Sequence, residues 1–398
     1  MTGVRTPPII VTLVALAGLA TLSMNVFLPS LPGMARYFEV DYGIMQLSVS
    51  GYLAVSAVLQ LLVGPISDRY GRRPVMLWAI AIFLLATVGT LLAPTVGWFL
   101  FFRMVQTTIT AGMVISRAVV RDIVPGDGAA SMLGYVTMGM SVVPMLAPIL
   151  GGILDEQFDW HANFAMMGVI GIVVFIMTWV DMGETNKPGG VPLRTQIASY
   201  PLLARSRRFW GYAMVATLAS GAFYAYLGGA PFVGETVFHM SSAEVGYWFA
   251  APSLGYAIGN FLSGRYAVTI GINRMILIGS ILCSLALGSA FLVDLAGIYQ
   301  PLIFFGAIAM LGTGNGLVLP CANAGMMGIR PELAGTASGF GGALMVAGGA
   351  ALSAIVAPLL GPETGAAPLL AVMALSSIGS AITILLVIRR ERRLMMDG

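Results

Sequence analysis

The charged stretch that most constrains this chain reads Gly64-Pro65-Ile66-Ser67-Asp68-Arg69-Tyr70-Gly71-Arg72-Arg73-Pro74-Val75. It lies between two long apolar runs, 45–63 and 75–92, that carry no charged residue. Each run is long enough to cross a hydrocarbon core of about 30 Å at about 1.5 Å per helical residue. The stretch between them is therefore predicted to be a tight turn at a membrane face. Its three arginines predict that this face is cytoplasmic, because loops rich in Lys and Arg stay on that side during insertion.

The composition independently predicts a membrane protein with many spans. Hydrophobic residues make up 58% of the chain and charged residues only 9%, and the mean hydropathy is +0.90. Ordinary globular domains carry about a quarter charged residues, so a soluble domain is excluded. Fifty glycines fit this interpretation, because small residues let helices in lipid approach closely. Cys283 and Cys321 both fall inside predicted spans and are interpreted as small core residues, so neither a disulfide nor a metal site is expected.

Hydropathy along the chain predicts twelve membrane-spanning helices. They cover 8–30, 43–64, 74–93, 97–117, 131–154, 162–181, 210–233, 243–265, 273–294, 299–321, 334–360 and 366–388. With both termini in the cytoplasm, the twenty basic residues fall on the cytoplasmic side except Arg36, in an outer loop, and Arg103, inside the fourth span. This bias supports an even number of spans. The first apolar run is interpreted as an uncleaved span rather than a secretory signal.

The predicted fold is an all-α membrane protein with twelve transmembrane helices in two pseudo-symmetric six-helix bundles. The bundles cover 1–182 and 210–398, and a cytoplasmic linker at 183–209 joins them. The linker is rich in Pro, Gly and basic residues, as a solvated connection should be. Paired halves around a midplane cavity are the architecture of carriers that alternate their access between the two sides of a membrane.

The halves are weakly repeated in sequence. Gly71 recurs as Gly271 at the same place between the eighth and ninth spans, but the position of Asp68 is taken there by Val268. The second copy of the turn has therefore lost its acidic residue.

Four stretches resemble known transporters. The charged turn is similar to the signature loop of the major facilitator superfamily, a Gly-x-x-x-Asp-Arg-x-Gly-Arg-Arg pattern, and the matching residues are Gly64, Asp68, Arg69, Gly71, Arg72 and Arg73. The other three resemble one branch of it, the drug:proton antiporters of the Bcr/CflA type. They are 23–32 in the first span, 102–106 followed by Gly112 in the fourth, and 144–152 in the fifth.

The resemblance implies a cytoplasmic gate. Asp68 would cap the second span and meet the positively polarised start of the eleventh helix near Gly335 and Thr336. In the family the loop arginine pairs with an acidic residue at the end of the fourth helix, a role that Arg72 and Asp122 match here. Retention of basic loops on the cytoplasmic side would by itself explain Arg69 and Arg73 of this gate.

The resemblance also implies a role for the fifth span. Its antiporter motif consists of Pro144, Pro148, Gly151 and Gly152, and in the family this helix seals or flexes the path against leak. Prolines and glycines remove backbone hydrogen bonds and side-chain bulk, so the helix can bend and press on a neighbour. A kinked packing helix with no role in export is the alternative.

Arg103 is the sharpest single candidate for a functional residue. A guanidinium in the hydrocarbon region costs a few kcal/mol or more unless it faces a wet cavity or a partner. Arg103 and Asn25 lie at similar depth, each roughly 9 Å from the outer end of its span, so they are predicted to face each other across a cavity with Gln106 nearby. The alternative is that Arg103 only ties the backbone carbonyls of neighbouring helices together.

Asn25 departs from the pattern that the resemblance implies. The family has an Asp here that takes and gives a proton, and Asn cannot titrate. No acidic residue lies near the middle of any predicted span. If transport is coupled to protons, the candidate titrating groups are Asp155 and Glu235 near the outer mouth, or the substrate itself exchanges charge with Arg103.

Polar and aromatic residues inside the spans are the remaining candidates for a substrate cavity: Tyr52, Gln60, Tyr135, Tyr224, Tyr226, Asn260 and Asn315. With so little fixed charge, the cavity is predicted to suit amphipathic or neutral aromatic compounds. Met24, Met104, Met138 and Met140 could add adaptable apolar lining.

The sequence is thus interpreted as an exporter of drug-like compounds in the bacterial inner membrane, with protons as the coupling ion. We expect a monomer in the bilayer, with no cofactor and no nucleic-acid partner. A metabolite or sugar symporter of the same fold is the alternative, although it should carry more polar and acidic residues inside its spans. A channel is less favoured because no filter-like repeat or charged ring is present, and no enzyme signature is found.

Overall fold

The computed structural model describes residues 8–123, 127–186, 201–330, 333–361 and 364–396. Within those ranges the chain is almost entirely helical and contains no strand. Helices occupy every one of the predicted spans, which confirms the all-α fold class.

The spans, numbered as above, have the following bounds. They are Ile10–Asn25 with a 3-10 turn Leu28–Ser30 and Leu31–Tyr37; Tyr42–Tyr70; Arg72–Leu91; Val96–Val105 with a 3-10 segment Gln106–Thr110 and Ala111–Ile123; Asp127–Gln157; Trp160–Asp181; Arg207–Thr236; Ser242–Trp248 with Ala250–Ile270; Ile272–Leu295; Pro301–Met327; Ala334–Val356 with a 3-10 turn Ala357–Leu359; and Ala367–Met396.

Ten of these helical segments are long and apolar enough to cross a membrane. The fifth and eighth spans are helical but are not among the ten, judged on the described residues. The eighth is interrupted at Phe249 and carries Asn260 and Arg265. These two spans pack against each other at Gly152 and Gly246, which is a setting where polar and small residues are tolerated.

Two predicted boundaries are corrected by the structure. The charged stretch is mostly helix rather than turn, because the second span continues to Tyr70 and the third begins at Arg72. Only Gly71 stands outside, with a φ of 97° that glycine adopts without a steric penalty. The fourth span was predicted to end at residue 117, but its helix continues to Ile123, so Arg117 lies within the helix rather than at its end.

Alternating helices give the bundle two distinct ends. The basic end holds Gly71, Asp122 and Gly271, and the far end holds Arg36 and Gly152. Most of the predicted linker, 187–200, lies outside the described residues. The division of the chain into 1–182 and 210–398 stays a prediction.

Candidate functional site

Arg103 is completely buried in the first half of the chain. Its guanidinium lies between the rings of Phe27 and Tyr52, 4.3 and 4.2 Å from their centroids. It donates to the Ser23 carbonyl at 2.7 Å and to the Ser23 hydroxyl at 3.2 Å. Among the described residues no carboxylate forms an ion pair with Arg103, so two aromatic faces and polar oxygens compensate its charge.

This environment differs from the wet cavity predicted around Arg103. The guanidinium ties the first span to the fourth through a backbone carbonyl, which is the alternative given above. Asn25 does not share in this contact; its amide donates to the Thr21 carbonyl at 2.7 Å and the residue is buried. The reason is helical geometry. Asn25 lies two positions after Ser23, and at about 100° per position the two side chains point to opposite faces of the helix.

Gln106 extends the same buried network. Its side-chain oxygen accepts from Arg103 at 2.8 Å, and its amide nitrogen donates to the Thr87 hydroxyl at 2.9 Å. Thr87 belongs to the third span and was not among the predicted site residues. Arg103 and Gln106 therefore hold the first, third and fourth spans together.

The glycines of the antiporter motif lie where backbones meet. A side chain at Gly151 would overlap the carbonyl of Val26 in the first span, and one at Gly152 would overlap the carbonyl of Ser242 at the start of the eighth span. Gly246 of the eighth span in turn lies against the Pro148 carbonyl. The fifth span thus contacts the first span and the second half of the chain at the far end, with no side chain between. Pro144 lies within the same unbroken helix.

Polar contacts also join the two halves at the far end. Arg36 forms an ion pair with Glu235, a contact we call the far-end clasp. The Tyr42 hydroxyl donates to the Gly228 carbonyl at 2.7 Å. Two further hydrogen bonds cross between the halves there, from Gln46 to the Ser353 carbonyl at 3.0 Å and from Ser241 to Glu156 at 3.3 Å. The far end is closed in this structure.

Of the two candidate proton sites, Glu235 is the one in an ion pair across the halves. Asp155 is half-buried near the end of the fifth span, and the described residues include no ion pair to it. Sequence reasoning singled out Arg36 as the outer cation but did not connect it to Glu235, since 199 residues separate them.

At the basic end, Arg72 is the centre of a charged network. It contacts Asp68 at 2.5 Å and Asp122 at 3.1 Å, and it donates to the Ser67 hydroxyl at 2.6 Å. Glu184, just after the sixth span, accepts the backbone N–H groups of Arg72 and its successor at 2.9 and 3.2 Å. The positive end of the helix dipole at the start of the third span stabilises a carboxylate at this position. The Arg72–Asp122 contact forms as the resemblance implied.

The other residues of the predicted gate also find partners within the first half. The Asp68 carbonyl accepts from Asn186 at 2.6 Å. Arg73 donates to the Trp179 carbonyl at 2.9 Å, and Arg69 lies over the ring of Tyr70 at 5.4 Å. A contact between Asp68 and the start of the eleventh span stays a prediction, as does the gating role. Gly64 has open space where a side chain would be.

The predicted cavity residues separate into two groups. Tyr52, Tyr226 and Asn315 are buried, and Asn315 donates to the Ala219 carbonyl at 3.1 Å. They therefore line no open space in this state. Gln60, Tyr224 and Asn260 are partly exposed. The side chain of Tyr135 lies outside the described residues.

Two residues of the partly exposed region were missed by sequence reasoning. Arg117 is exposed and interacts electrostatically with Tyr256 of the eighth span, and Tyr256 is hydrogen-bonded to Asn260. The sequence places Arg117 at the cytoplasmic end of the fourth span, because that span is predicted to end at residue 117. The signal that could have found it is the absence of any Gly or Pro between 113 and 123 to end the helix.

The comparison with known protein families settles the fold and its class. The model of the Major Facilitator Superfamily matches residues 13–354. The chain belongs to this superfamily. This major facilitator is 28% identical over 365 residues to multidrug resistance protein D of Escherichia coli, with 91% of each chain covered. It is 26% identical to a bicyclomycin resistance protein homolog of Haemophilus influenzae, with 88% of this chain and 89% of that one covered.

Solved structures give the same fold. A bacterial homolog to the human lysosomal transporter Spinster, in an inward-facing and occupied conformation, matches with a TM-score of 0.77 and 17% identity over 96% of both chains. The major facilitator described here is therefore a multi-pass membrane transporter rather than an enzyme. The resemblance to the Bcr/CflA type is supported by the drug-resistance names of its relatives.

Proposed function

We propose that this major facilitator exports drug-like amphipathic compounds across the bacterial inner membrane. The observation that carries the proposal is its similarity, over about nine tenths of its length, to relatives named for multidrug and bicyclomycin resistance. The antiporter motif supports it, because its glycines are the contact points of the far-end closure.

Transport by this proposal alternates access between the two ends. The far end is closed by the contacts of the fifth span with the eighth and by the far-end clasp. For release at that end, the half formed by 1–182 rocks against the half formed by 210–398. Both termini then lie in the cytoplasm with the basic end.

The experiment that tests export is a susceptibility panel in cells expressing the chain. Expression should raise resistance to at least one antibiotic, and Gly152→Leu should abolish it, because the new side chain overlaps the Ser242 carbonyl. Gly264→Leu is the matched control, since a side chain there meets nothing within 4 Å. Membrane levels of each variant are measured by immunoblot. No resistance and no energised efflux with any compound would overturn the proposal.

Exchange for protons is part of the proposal, with Glu235 as the titrating group. The Glu235 carboxylate faces Arg36 of the first span and interacts electrostatically with Tyr42 of the second. Opening of the far end separates the Glu235 carboxylate from Arg36 and exposes it to that side of the membrane. For net proton entry, a proton bound there has to leave toward the basic end as the clasp re-forms.

Inside-out vesicles test the coupling. An imposed pH gradient, acid inside, should drive substrate uptake in the unchanged protein, and Glu235→Gln should remove that dependence. Asp155→Asn is the control and should retain it. Uptake that is indifferent to the gradient in the unchanged protein would contradict proton exchange while leaving export itself intact.

A further inference from the structure

The exposed Arg117 faces the space between the two halves. Its helix contacts the first span through the face of Gly112, which lies against the Leu16 carbonyl, and of Ser116, whose hydroxyl donates to the Leu13 carbonyl at 3.1 Å. Arg117 is one residue further, so it points about 100° away from that contact. Its electrostatic partner Tyr256 belongs to the other half of the chain.

Tyr256 is the partner of this guanidinium in the second half, and two further polar side chains adjoin Tyr256. Tyr256 is hydrogen-bonded to Asn260, one turn further along the eighth span, and it interacts electrostatically with Tyr224 of the seventh. All three side chains are only partly buried. Together with Arg117 they form a cluster, which we call the cleft cluster, that offers a guanidinium, two phenol hydroxyls and a carboxamide.

The cleft cluster rests on a rigid support. Gly316 of the tenth span lies against the backbone of Tyr256 and Asn260, where an added side chain would come within 2.6 Å of both. Gly349 of the eleventh span lies directly against the ring of Tyr224. Backbones in such close contact fix the positions from which Tyr256 and Asn260 extend, and Gly349 restricts the ring of Tyr224 itself. The donors are therefore held in place before a ligand arrives, which lowers the entropy cost of binding.

The charge of this region is positive. None of the seventeen acidic residues of the sequence lies between 69 and 121 or between 245 and 293, the parts that contain Arg117 and the eighth span. Asp122 is the acidic residue nearest to Arg117 in sequence, and it is held by Arg72 at 3.1 Å and by Thr185 at 3.4 Å. A cation entering the cleft meets Arg117, whereas an oxyanion meets several donors.

Arg103 cannot supply this selectivity. It is completely buried between two aromatic rings, and both of its Nη groups donate within the protein, to Ser23 and Gln106, so it offers no exposed donor to a ligand. The two arginines of the fourth span thus have different roles, one in joining helices and the other in facing the cleft.

We infer that the cleft cluster is a binding site for the oxyanion of an anionic amphiphile, such as an aromatic carboxylate, so that this transporter favours anionic over cationic substrates. This inference rests on the proposed export function and names its substrate class. The planar guanidinium of Arg117 binds two oxygens of one carboxylate, while Tyr256 and Tyr224 donate to the oxygens that remain.

Two dyes on one xanthene scaffold test the inference. Fluorescein is an anion and rhodamine 123 a cation, and their binding to the purified full-length protein in detergent is followed by fluorescence polarisation. We expect fluorescein to bind at least tenfold more tightly than rhodamine 123. Arg117→Gln should weaken fluorescein binding about tenfold or more and leave rhodamine binding unchanged or stronger.

Two further variants keep the test specific. Arg117→Lys retains the charge but loses the two-oxygen contact, so its fluorescein affinity should fall between those of the unchanged protein and Arg117→Gln. Arg265→Gln removes an arginine at the basic end that lies over Tyr266 rather than in the cluster, and should change neither affinity. A thermal unfolding curve of each variant shows that it is folded. Preference for rhodamine, or equal loss of both dyes in Arg117→Gln, would overturn the inference.

The outcome separates from that of the proposed function. If fluorescein binding depends on Arg117 but the protein exports no compound, the export proposal is rejected and the binding site is retained. If the protein exports an antibiotic equally well with Arg117→Gln and does not bind fluorescein, the binding site is rejected and the export proposal is retained.

Discussion

Two glycine turns, at Gly71 and Gly271, occupy equivalent places in the two halves of this transporter. Their backbones are nearly the same, with φ values of 97° and 90°. Their surroundings are not. A side chain added at Gly71 would overlap the Glu184 carboxylate, whereas one added at Gly271 would meet nothing within 4 Å.

The charged side chains beside the two turns also differ, because those of the first turn are more buried. In the first half, the buried Arg72 is held by two carboxylates, Asp68 and Asp122. In the second half, Asn273 donates to Glu391 at 2.6 Å, and Arg208 contacts Glu391 at 2.9 Å with more than half of its side chain exposed.

Both networks nevertheless bind the turn to the last span of its own half or to the residues that directly follow it, through Glu184 in one and Glu391 in the other. The same backbone turn is thus surrounded by a buried charged network in the first half and by a partly exposed one in the second.

The largest expected effect on stability comes from removing the arginine of each network, Arg72 in the first half and Arg208 in the second. Arg72→Met should lower the free energy of unfolding by about 3 kcal/mol, because it leaves two partly buried carboxylates unpaired. Arg208→Met should lower it by less than about 1 kcal/mol, because that pair is solvent-exposed. Unfolding of the purified protein in detergent measures both. Equal losses of unfolding free energy would show that the two turns are energetically equivalent and would contradict the difference inferred here.

An intermediate effect is expected from the glycines themselves. Either Gly→Ala change places a side chain at positive φ, at a cost of about 1–2 kcal/mol. Gly71→Ala should cost about 1 kcal/mol more than Gly271→Ala, because it displaces the Glu184 carboxylate from two backbone N–H groups. The same unfolding experiment gives the difference between the variants. In a Glu184→Ala background, which removes both the overlap and the acceptor, Gly71→Ala and Gly271→Ala should cost nearly the same, and a difference that persists there would contradict the role given to Glu184.

The smallest effect is expected when the charged residues of the first turn are introduced at the second. Val268 occupies the position of Asp68 and is 93% exposed. Val268→Asp alone should change stability by less than about 0.5 kcal/mol. Combined with Ile272→Arg, it should form an exposed pair worth at most about 1 kcal/mol. A double-mutant cycle measures this coupling, and a value near that of the Arg72 network would mean that burial matters less than we infer.

Much of the fold could be predicted from sequence because hydrocarbon thickness fixes the length of a span and basic residues mark one side. Span ends were less certain. Residues 66–70 and 118–123 are charged or amphipathic, so hydropathy ended the second and fourth spans too early, although neither segment contains a residue that breaks a helix.

The site could be predicted only in part. The resemblance named Arg72 and Asp122 as a pair, and the structure forms that contact. Depth along a helix placed Arg103 and Asn25 at one level but could not say which face each side chain takes. Contacts between distant segments, such as Arg36 with Glu235 and Arg117 with Tyr256, carry no local pattern, so they became visible only once the helices were packed.

The meeting of the fifth and eighth spans at Gly152 and Gly246 has a mechanical consequence. A barrier built from bare main chain has no rotamer that can swing aside. The rotation of a single side chain therefore cannot open this contact or create a path for ions through it. Under the proposed alternating access, the fifth and eighth helices have to separate as whole units to open the far end, so we expect that opening to be all-or-none.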